Sequence, residues 1–380
     1  MDLFASLTEI ADRASAAIGV TDLAPFPDEA ERIRDRVSKG FHGGMSFTYA
    51  QPDIASRPVE SFPWGTSVVV ITVPYLEDGD GPSEFRTCAR FADGDRYDGL
   101  RTVLAEIASA LNGSGHRTEI VFDDNRLIDR AVAVRAGAAW SGKSTMALSP
   151  GAGPWILIGS VVTDAVLDST EPMRRSCGTC DACIPACPTN AIVAPGVLDA
   201  RRCIAAVLQR RGVIDHTIRT AIGGRIYGCD DCLTACPPGQ PALRSLRATE
   251  DVLDPEAVLR HSDEELARIV DHWYVPSRRM RFVRRNALIA LGNTGDESSL
   301  GLLAGYIGHS DALLGGHAAW AVGRGGGAAA TAICIAALER VSDETVRTEL
   351  VAAVAASKRG GVYAEDVSVA PTTDEEESAR

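Results

Sequence analysis

Residues 176–192 read SCGTCDACIPACPTNAI, and residues 226–239 read IYGCDDCLTACPPG. The first stretch has the spacing C-x2-C-x2-C-x3-C-P, which binds one [4Fe–4S] cluster and directs its fourth cysteine to a second cluster. A second, incomplete set of cysteines should therefore follow. It does, because a lone cysteine at position 203 precedes the C-x2-C-x3-C-P spacing of the second stretch. The spacing predicts a bacterial ferredoxin-like module with two [4Fe–4S] clusters.

The crossing rule divides these eight cysteines into two sets of four thiolates. Cluster 1 receives Cys177, Cys180, Cys183 and Cys236, and cluster 2 receives Cys187, Cys203, Cys229 and Cys232. Zinc and disulfides are the alternatives. Zinc sites usually pair two C-x2-C units and leave no single cysteine before a proline, and a disulfide framework is typical of secreted chains. Both therefore fit this spacing less well than two iron–sulfur clusters.

The composition is that of an ordinary globular protein, with 45% hydrophobic and 23% charged residues in a chain of 380. This length suffices for two or three domains. The N-terminus lacks the basic start and apolar core of a signal peptide, and no apolar run reaches the roughly 18 residues of a membrane span. Ten cysteines without a secretion signal indicate the reducing cytoplasm. We expect a cytoplasmic monomer without a membrane partner; the net charge of −13 argues weakly against nucleic acid.

Before the cysteine module, helical periodicity alternates with buried apolar runs. Helices are predicted at 3–18, 28–40, 98–111 and 129–137, and strands at 67–75, 118–122 and 154–164. This alternation predicts an α/β or α+β domain over residues 1–165, followed by the ferredoxin-like module at 166–245.

From residue 255 onwards the pattern is helical only, and it repeats. NALIALGNTGD starts at Asn286, HAAWAVGRGGG at His317 and TELVAAVAASK at Thr348, a constant step of 31 residues. Such a period predicts stacked helical hairpins of the HEAT-like kind over 246–362, with coincidental alanine-rich helices as the alternative. Residues 363–380 contain few large apolar side chains and are predicted to form a disordered acidic tail.

Two groups of arginines lie in or near these modules. Residues 278–285, RRMRFVRR, contain no acid and five arginines: Arg278, Arg279, Arg281, Arg284 and Arg285. A second group, which includes Arg210 and Arg211, lies beside the cysteine motifs. Arginines of this kind usually mark solvated helix faces. A basic strip on a repeat domain next to a redox centre nevertheless favours a partner with a phosphate backbone.

Taken together, these residues make the chain resemble the epoxyqueuosine reductases, the cobalamin-dependent enzymes of the last step of tRNA queuosine synthesis. The resemblance covers about residues 18–325. It depends on segments in a fixed order, namely GFHGGMSF, SRPVESFPWGTSVVV, CARFADGDRYDGL, FDDNRLIDRAVAVRAGAAWSGKSTMALSP, the cysteine module and RRNALIALGN. A ferredoxin-type motif alone is shared by many redox proteins, whereas these segments together are typical of this family.

The resemblance implies reduction of epoxyqueuosine to queuosine at the wobble position of tRNA, with the epoxide oxygen leaving as water. It also implies a base-off cobalamin without a protein axial ligand, supplied with electrons by the clusters and an external low-potential donor. Contacts to this cofactor are expected from Arg57, Cys88, Asp123, Lys143, Ser144, Ile204, Arg210 and Arg211. The anticodon arm of tRNA is then the expected partner of the five arginines at 278–285.

The proton donor of the family corresponds to Asp123. A carboxyl group in an apolar, water-poor pocket has a raised pKa and can hold a proton near neutral pH. Asp124 would point the other way if the strand at 118–122 continues past its end. From the residues alone, Asp123 would be interpreted as a strand-end or loop carboxylate; the resemblance favours the donor.

Several positions depart from the family pattern. Arg96-Tyr97-Asp98 stands where the family has D-Y-H, Ser144 replaces an asparagine, residues 205–210 differ, and 236–239 read C-P-P-G instead of C-P-W-N. One alternative is therefore a diverged corrinoid reductase with another substrate. Another is a non-catalytic electron carrier whose repeats dock a protein, which would need neither Asp123 nor Lys143. For Cys88, burial as a small hydrophobe is the alternative to a cofactor contact, and Cys334 is expected in the core.

Overall fold

The computed structural model describes residues 3–83, 86–249, 253–294, 297–364 and 366. The chain divides into two compact units. The first comprises Met1–Glu84, Ala89–Ala206 and Asp230–Glu250, and the second comprises Phe85–Cys88, Val207–Cys229 and Asp251–Arg380. The predicted boundaries at 165 and 245 do not coincide with this division. In the described ranges, no helix combines the length and apolar character needed to cross a membrane.

The strands all belong to the first unit: β1 (Ala17–Thr21), β2 (Ser67–Pro74), β3 (Thr118–Val121), β4 (Trp140–Ser141), β5 (Ala147–Leu148), β6 (Ile156–Thr163), β7 (Ile192–Ala194) and β8 (Val197–Leu198). Its helices are α1 (Leu3–Arg13), α2 (Pro27–Ser38), α3 (Phe47–Ala50), α4 (Pro52–Ala55), α5 (Pro58–Ser61), α6 (Tyr97–Gly113), α7 (Asp129–Arg135), α10 (Asp231–Thr234) and α11 (Gln240–Arg244). Helix α8 (Ile204–Leu208) contains the boundary between the units.

The regular elements in the described part of the second unit are helices. Its helices are α9 (His216–Ile222), α12 (Pro255–Arg260), α13 (Asp263–Ile269), α14 (Arg281–Thr294), α15 (Leu300–Ile307), α16 (Ala312–Gly325), α17 (Gly327–Leu338) and α18 (Glu344–Ser357). Short 3-10 turns lie at Arg90–Ala92, Pro237–Gly239, Pro276–Arg278 and Glu297–Ser299.

The core of the first unit is a four-stranded sheet in the order β1-β2-β6-β3, with every neighbouring pair antiparallel. Strand β2 is buried at seven of its eight positions, as its run of β-branched residues predicts. Helix α6 packs Leu100, Leu104, Ile107 and Leu111 into the core beside this sheet. These four residues recur at helical spacing, so a single stripe of α6 is buried. The unit is therefore α+β.

The helix predicted over 3–18 is wrong at its C-terminal end. Helix α1 stops at Arg13, and residues 17–21 form the edge strand β1 instead. The apolar residues at 14, 17 and 18 suited a helical stripe, but pairing with β2 satisfies the backbone groups of residues 17 and 18 in the sheet. Gly19 is required by this packing, because a Cβ there would lie 1.9 Å from the carbonyl oxygen of Ala136.

The C-terminal part of the cysteine module shares the core of the first unit. Leu233 on α10 and Leu243 on α11 belong to the same buried cluster as Leu104 and Trp155. Short helices of four or five residues have little apolar surface to bury against each other, so they complete a larger core. A boundary at 165 would cut through this cluster.

In the second unit, α14, α16 and α18 begin at Arg281, Ala312 and Glu344, which reproduces the predicted step to within one residue. Their close approach requires small residues: a Cβ at Gly292 would lie 2.8 Å from the Cα of Ala321. Tyr363, where the tail was predicted to start, is buried and donates its hydroxyl to the carbonyl of Trp320 at 2.9 Å. Residues 367–380 of the predicted tail lie outside the described residues.

Candidate functional site

The four predicted thiolates of cluster 1 converge within the first unit. Burial, together with the charges of Cys177, Cys183 and Cys180, raises the pKa of Cys236 to about 11. Burial likewise raises the pKa of Cys183, again with contributions from Cys177 and Cys180. Such mutual effects require the sulfurs to face one region, although Cys236 is distant in sequence. Four thiolates that face one region would supply the donor set of an iron–sulfur cluster, and the assignment of these four cysteines to cluster 1 stays a prediction.

Two tight backbone features position these cysteines. The amide of Cys180 donates to the carbonyl of Cys177 at 2.9 Å, and Gly178 between them has a φ of +51°. After Cys236, the carbonyl of Gly239 accepts a hydrogen bond of 3.2 Å from Nε1 of Trp155. A Cβ at Gly239 would lie 2.6 Å from that nitrogen, so the indole occupies the space that a side chain at 239 would need.

Lys143 lies beside the predicted ligands of cluster 1. Its backbone amide donates to Sγ of Cys177 at 3.4 Å, and its ammonium group donates to the carbonyl of Gly178 at 2.9 Å. Hydrogen bonds to ligand sulfurs are one of the means by which a protein sets a cluster's reduction potential. The AGAAWSGKST segment, residues 136–145, is therefore tied to the first cysteine of the module.

The four predicted ligands of cluster 2 do not all belong to one unit. Cys187, Cys203 and Cys232 belong to the first unit, whereas Cys229 ends a segment of the second. Sγ of Cys187 accepts a hydrogen bond of 3.2 Å from the amide of Ala191. In the part of the chain that the structure describes, no three His, Cys, Asp or Glu side chains are placed to ligate a single metal ion. The assignment of these four cysteines to one cluster stays a prediction.

Asp123 lies in the turn that follows β3, in a different setting from the one expected. The strand ends at Val121, so it does not continue to Asp123. Asp123 has a left-handed φ of +48°, and its side chain is exposed instead of lying in an apolar pocket. A non-glycine residue in this region costs on the order of 1 kcal/mol or more and is often found at functional sites.

Asp124 is engaged by a neighbouring arginine. Its carboxylate accepts hydrogen bonds from Nε of Arg126 at 3.0 Å and from Nη2 at 2.7 Å. These bonds hold the pKa of Asp124 below its usual value, despite partial burial. Arg126 also pairs with Glu119 at 2.8 Å. Asp124 is therefore ionised and fixed near neutral pH, which makes it a poor proton donor.

Asp129, the first residue of α7, is a feature that the sequence analysis missed. Its Oδ1 atom is inaccessible to solvent and has no hydrogen-bond partner among the described residues. Burial raises the pKa of Asp129 to about 8, and the charge of Asp123 adds to the increase. The adjacent Arg130 donates instead to the carbonyl of Thr145 at 2.8 Å. An aspartate in the first turn of a helix is ordinarily exposed and ionised, so no sequence signal marked this one.

The other expected cofactor contacts in the first unit have varied surroundings. Arg57 is exposed and pairs with Glu60 at 3.4 Å and Asp53 at 3.7 Å. Ser144 is buried, and its Oγ accepts a hydrogen bond from an amide two residues ahead. Ile204 is buried in the same unit. Only part of the predicted set is therefore open to a ligand here.

The remaining expected contacts belong to the second unit. Cys88 is partly buried and forms a β-bridge with Tyr227. Nη2 of Arg211 donates to Oγ of Ser277 at 2.7 Å, and the carbonyl of Arg210 accepts from Arg285 at 2.8 Å. Because the eight predicted residues are divided between two units, their assembly around one cofactor stays a prediction.

The prediction that five arginines form a basic surface requires a correction at α14. Arg285 is fully buried and donates to the carbonyls of Arg210, Gly212 and Leu208 at 2.8, 2.7 and 3.1 Å. Arg284 is also buried and is paired with Asp263. The cause is that α14 is enclosed by other elements on nearly every face. Neither guanidinium can reach a phosphate from this conformation.

The other three arginines remain accessible to different degrees. Arg278 and Arg279 precede α14 and are exposed, while Arg281 is partly exposed and pairs with Asp311 at 2.7 Å. All three line a pocket of about 550 Å³ that also contains His261, His309 and Tyr306. The surface formed by Arg278, Arg279 and Arg281, called here the basic rim, replaces the longer predicted strip.

Two protein families match this chain, one at the cysteine module and one at the helical repeats. The family described as a 4Fe-4S double cluster binding domain matches residues 176–239, and HEAT repeats match residues 281–355. The first match confirms the prediction of an iron–sulfur module, and the second confirms the helical repeat.

Relatives match nearly the whole chain. The epoxyqueuosine reductase of Bacillus subtilis (strain 168) is 32% identical over 371 residues, which cover 92% of this chain and 95% of that protein. The crystal structure of an epoxyqueuosine reductase with a tRNA-Tyr epoxyqueuosine-modified tRNA stem loop has a TM-score of 0.80 and 29% identity, covering 94% and 100% of the two chains. A structure of the Bacillus subtilis epoxyqueuosine reductase, in which the loop of the catalytic aspartate is swung out of the active site, has the same TM-score, identity and coverage.

Proposed function

The chain belongs to the epoxyqueuosine reductase family, and on this premise we propose that it reduces epoxyqueuosine to queuosine in tRNA. The reaction removes the epoxide oxygen of the modified wobble base as water and consumes two electrons and two protons. The observation that carries the proposal is the convergence of Cys177, Cys180, Cys183 and Cys236 in a chain that matches its relatives over almost their full length. Because the substrate is tRNA, we place the protein in the cytoplasm.

Two iron–sulfur clusters, when bound, would supply the reaction with low-potential electrons taken from an external donor. Cluster 1 is bound by the converging set, and cluster 2 by Cys187, Cys203, Cys229 and Cys232. The amide of Lys143, which donates to Sγ of Cys177, stabilises the reduced and more negative state of cluster 1. This contact gives Lys143 a role at the cluster in addition to any contact with a cofactor.

Cobalamin is the expected electron acceptor within the protein. When bound in its base-off form, it supplies a low-potential cobalt centre for the chemistry at the epoxide. Among the predicted contacts, Arg57 and Asp123 are exposed, which supports binding of a ligand with many amide groups. Ser144 and Ile204 are buried, so they would pack behind the residues that contact the cofactor and would not contact it themselves.

Asp123 supplies a proton to the leaving oxygen. Its neighbour Asp124 is held as a carboxylate by Arg126, which leaves Asp123 as the free carboxyl group of the turn. The strained backbone at Asp123 supports a position that is maintained for function. Exposure of Asp123 is compatible with a loop that closes on substrate, and one structure of the Bacillus subtilis relative is described with the catalytic loop of an aspartate swung out of its active site.

The anticodon arm of tRNA binds at the basic rim. The protein carries a net charge of −13, so a polyanion must be attracted by a local surface where arginines are accessible. Arg278 and Arg279 are exposed and offer guanidinium groups that match phosphate oxygens. Affinity is therefore expected to fall steeply with salt, as phosphate contacts release counterions.

The test is anaerobic turnover of the holoprotein on tRNA that contains epoxyqueuosine. We expect queuosine to appear in the nucleoside digest when a low-potential reductant and cobalamin are supplied. The matched control is Asp124→Asn, which should retain turnover far better than Asp123→Asn. Protein that carries both clusters and cobalamin but leaves epoxyqueuosine unchanged would favour a diverged corrinoid reductase. Protein that takes up no cobalamin would favour the electron carrier.

A further inference from the structure

Tyr274 is an exposed aromatic residue that none of the functions above uses. Its side chain is 66% exposed, whereas Tyr227, Trp273 and Phe282 of the same unit are all below 10%. A single exposed aromatic ring is common on protein surfaces and would need no explanation by itself. The segment around Tyr274, however, holds this ring in a defined position.

The backbone of Tyr274 is fixed from both sides. Its amide donates to the hydroxyl of Tyr227 at 3.0 Å, and the ring of Trp273 stacks on that of Tyr227 with centroids 4.3 Å apart and planes 15° apart. Nη1 of Arg278 donates to the carbonyls of Asp271 and Trp273 at 2.7 and 3.2 Å. Only the side-chain torsions of Tyr274 remain to be ordered by a ligand, which lowers the entropic cost of binding.

The turn that follows is strained and carries two arginines, four and five residues after Tyr274. Ser277 and Arg278 have consecutive left-handed φ values of +53° and +51°, although neither is glycine. Such residues cost on the order of 1–3 kcal/mol each and persist where the surrounding structure requires them. Here Arg211 donates to Oγ of Ser277 at 2.7 Å, and Arg279 beyond the turn is exposed, with no hydrogen bond or ion pair from its guanidinium group among the described residues.

We propose that Tyr274 is a stacking platform for an unpaired base of the bound RNA, with Arg279 neutralising the adjacent phosphate. This inference rests on the proposed function, because it specifies how the anticodon arm is held. An exposed π-face beside a free guanidinium matches a nucleotide, which offers a flat base and a phosphate at a short distance. A protein partner would instead require a contiguous apolar patch of several hundred Å². The residues next to Tyr274 include the exposed, charged Asp271 and Arg279.

The test compares binding of a synthetic anticodon-arm hairpin by holoprotein variants over a range of salt concentrations. Tyr274→Ala should weaken binding by about 5- to 150-fold, the range found for one base stacked on an aromatic side chain, without changing the salt dependence. Tyr274→Phe retains the ring and should bind like the wild type. Arg279→Ala should lower the slope of log K against log salt by a little under one unit. Val351→Ala, which trims another exposed apolar residue of the same unit, is the control.

A second measurement reports stacking directly. Hairpins with 2-aminopurine at single loop positions should show one position whose fluorescence is quenched by the wild type and by Tyr274→Phe, but not by Tyr274→Ala. If the wild type binds the hairpin and Tyr274→Ala binds equally well, the platform is refuted while the proposed function stands. A wild type that binds no RNA at any salt concentration would refute both.

Discussion

Glu349 is expected to be a major stabilising residue of the second unit. Its Oε1 accepts a hydrogen bond of 2.8 Å from Nη2 of Arg219, and its Oε2 accepts from Nη1 of Arg219 at 3.2 Å and Nε2 of His216 at 2.8 Å. Arg219 is fully buried, and its Nε donates to the carbonyl of Ile214 at 2.8 Å. This network joins α9 to α18, so the substitution Glu349→Gln tests how strongly it holds them together.

The size of the expected stability loss follows from the pKa of Glu349. Burial acts to raise it, but hydrogen bonds from His216 and Arg219 prevail and lower it from 4.5 to about 2. At 1.36 kcal/mol per pKa unit, this difference stabilises the unit by about 3 kcal/mol at neutral pH. Because the folded-state pKa is depressed, the contribution is complete above pH 4.5 and is lost as the pH falls towards 2. Glu349→Gln also leaves Arg219 as a buried cation, which places the expected loss at about 3–5 kcal/mol.

Native-state hydrogen exchange of the anaerobic holoprotein is the suitable assay, since a protein with two units and bound clusters does not unfold in one step. Peptides from α9 and α18 should lose about 3–5 kcal/mol of protection in Glu349→Gln at pH 8. The control is Glu344→Gln on the exposed first turn of α18, which should cost at most about 1 kcal/mol. Equal protection in the two variants would refute the reasoning.

Three further predictions concern the first unit and the clusters. Cys203→Ala should remove one cluster and leave the other, giving about half the wild-type iron and sulfide; a wild type with only about four irons would contradict the eight-thiolate assignment. Asp123→Asn should retain both clusters and cobalamin but turn over at least about a hundredfold more slowly, and loss of cofactor in this variant would instead indicate a structural role. Asp129→Asn should stabilise the unit. The carboxyl group has a pKa of about 8 in the folded state against 3.8 in the unfolded state, so the wild type loses stability as the pH rises from 3.8 to 8. The gain in protection of α7 peptides should grow from pH 5 to pH 8 and reach at most about 4 kcal/mol at pH 7; a gain independent of pH would contradict it.

The parts of the molecule that the sequence predicted well have strong local or chemical signals. The cysteine spacing specifies its own chemistry, and the buried strand at 67–75 and the 31-residue repeat depend on periodicities that survive folding. Strand β1 was missed because its residues also fit a helical stripe, and only pairing with β2 decides between the two.

The errors at the candidate site have a different origin. Arg284 and Arg285 were predicted on a surface because charge is a property of the residue, whereas accessibility depends on what surrounds α14. The unpaired Oδ1 of Asp129 depends on where Arg130 directs its guanidinium group, which donates to the carbonyl of Thr145. Such choices between nearby acceptors are made by tertiary packing, and no pattern in a single sequence reports them.

Arg285 and its neighbour Asn286 limit how far the protein can be treated as a set of separable modules. Together they donate hydrogen bonds to the carbonyls of Leu208, Arg210, Gly212 and Ile226, at both ends of the segment that finishes at Cys229. A truncation after residue 245, at the predicted end of the cysteine module, would leave these carbonyls without donors and remove the unit to which the segment belongs. The repeats therefore cannot be exchanged for those of another protein, or deleted to obtain a minimal electron-transfer fragment, without redesigning residues 207–229. A chimera that keeps residues 207–229 must therefore also keep Arg285 and Asn286.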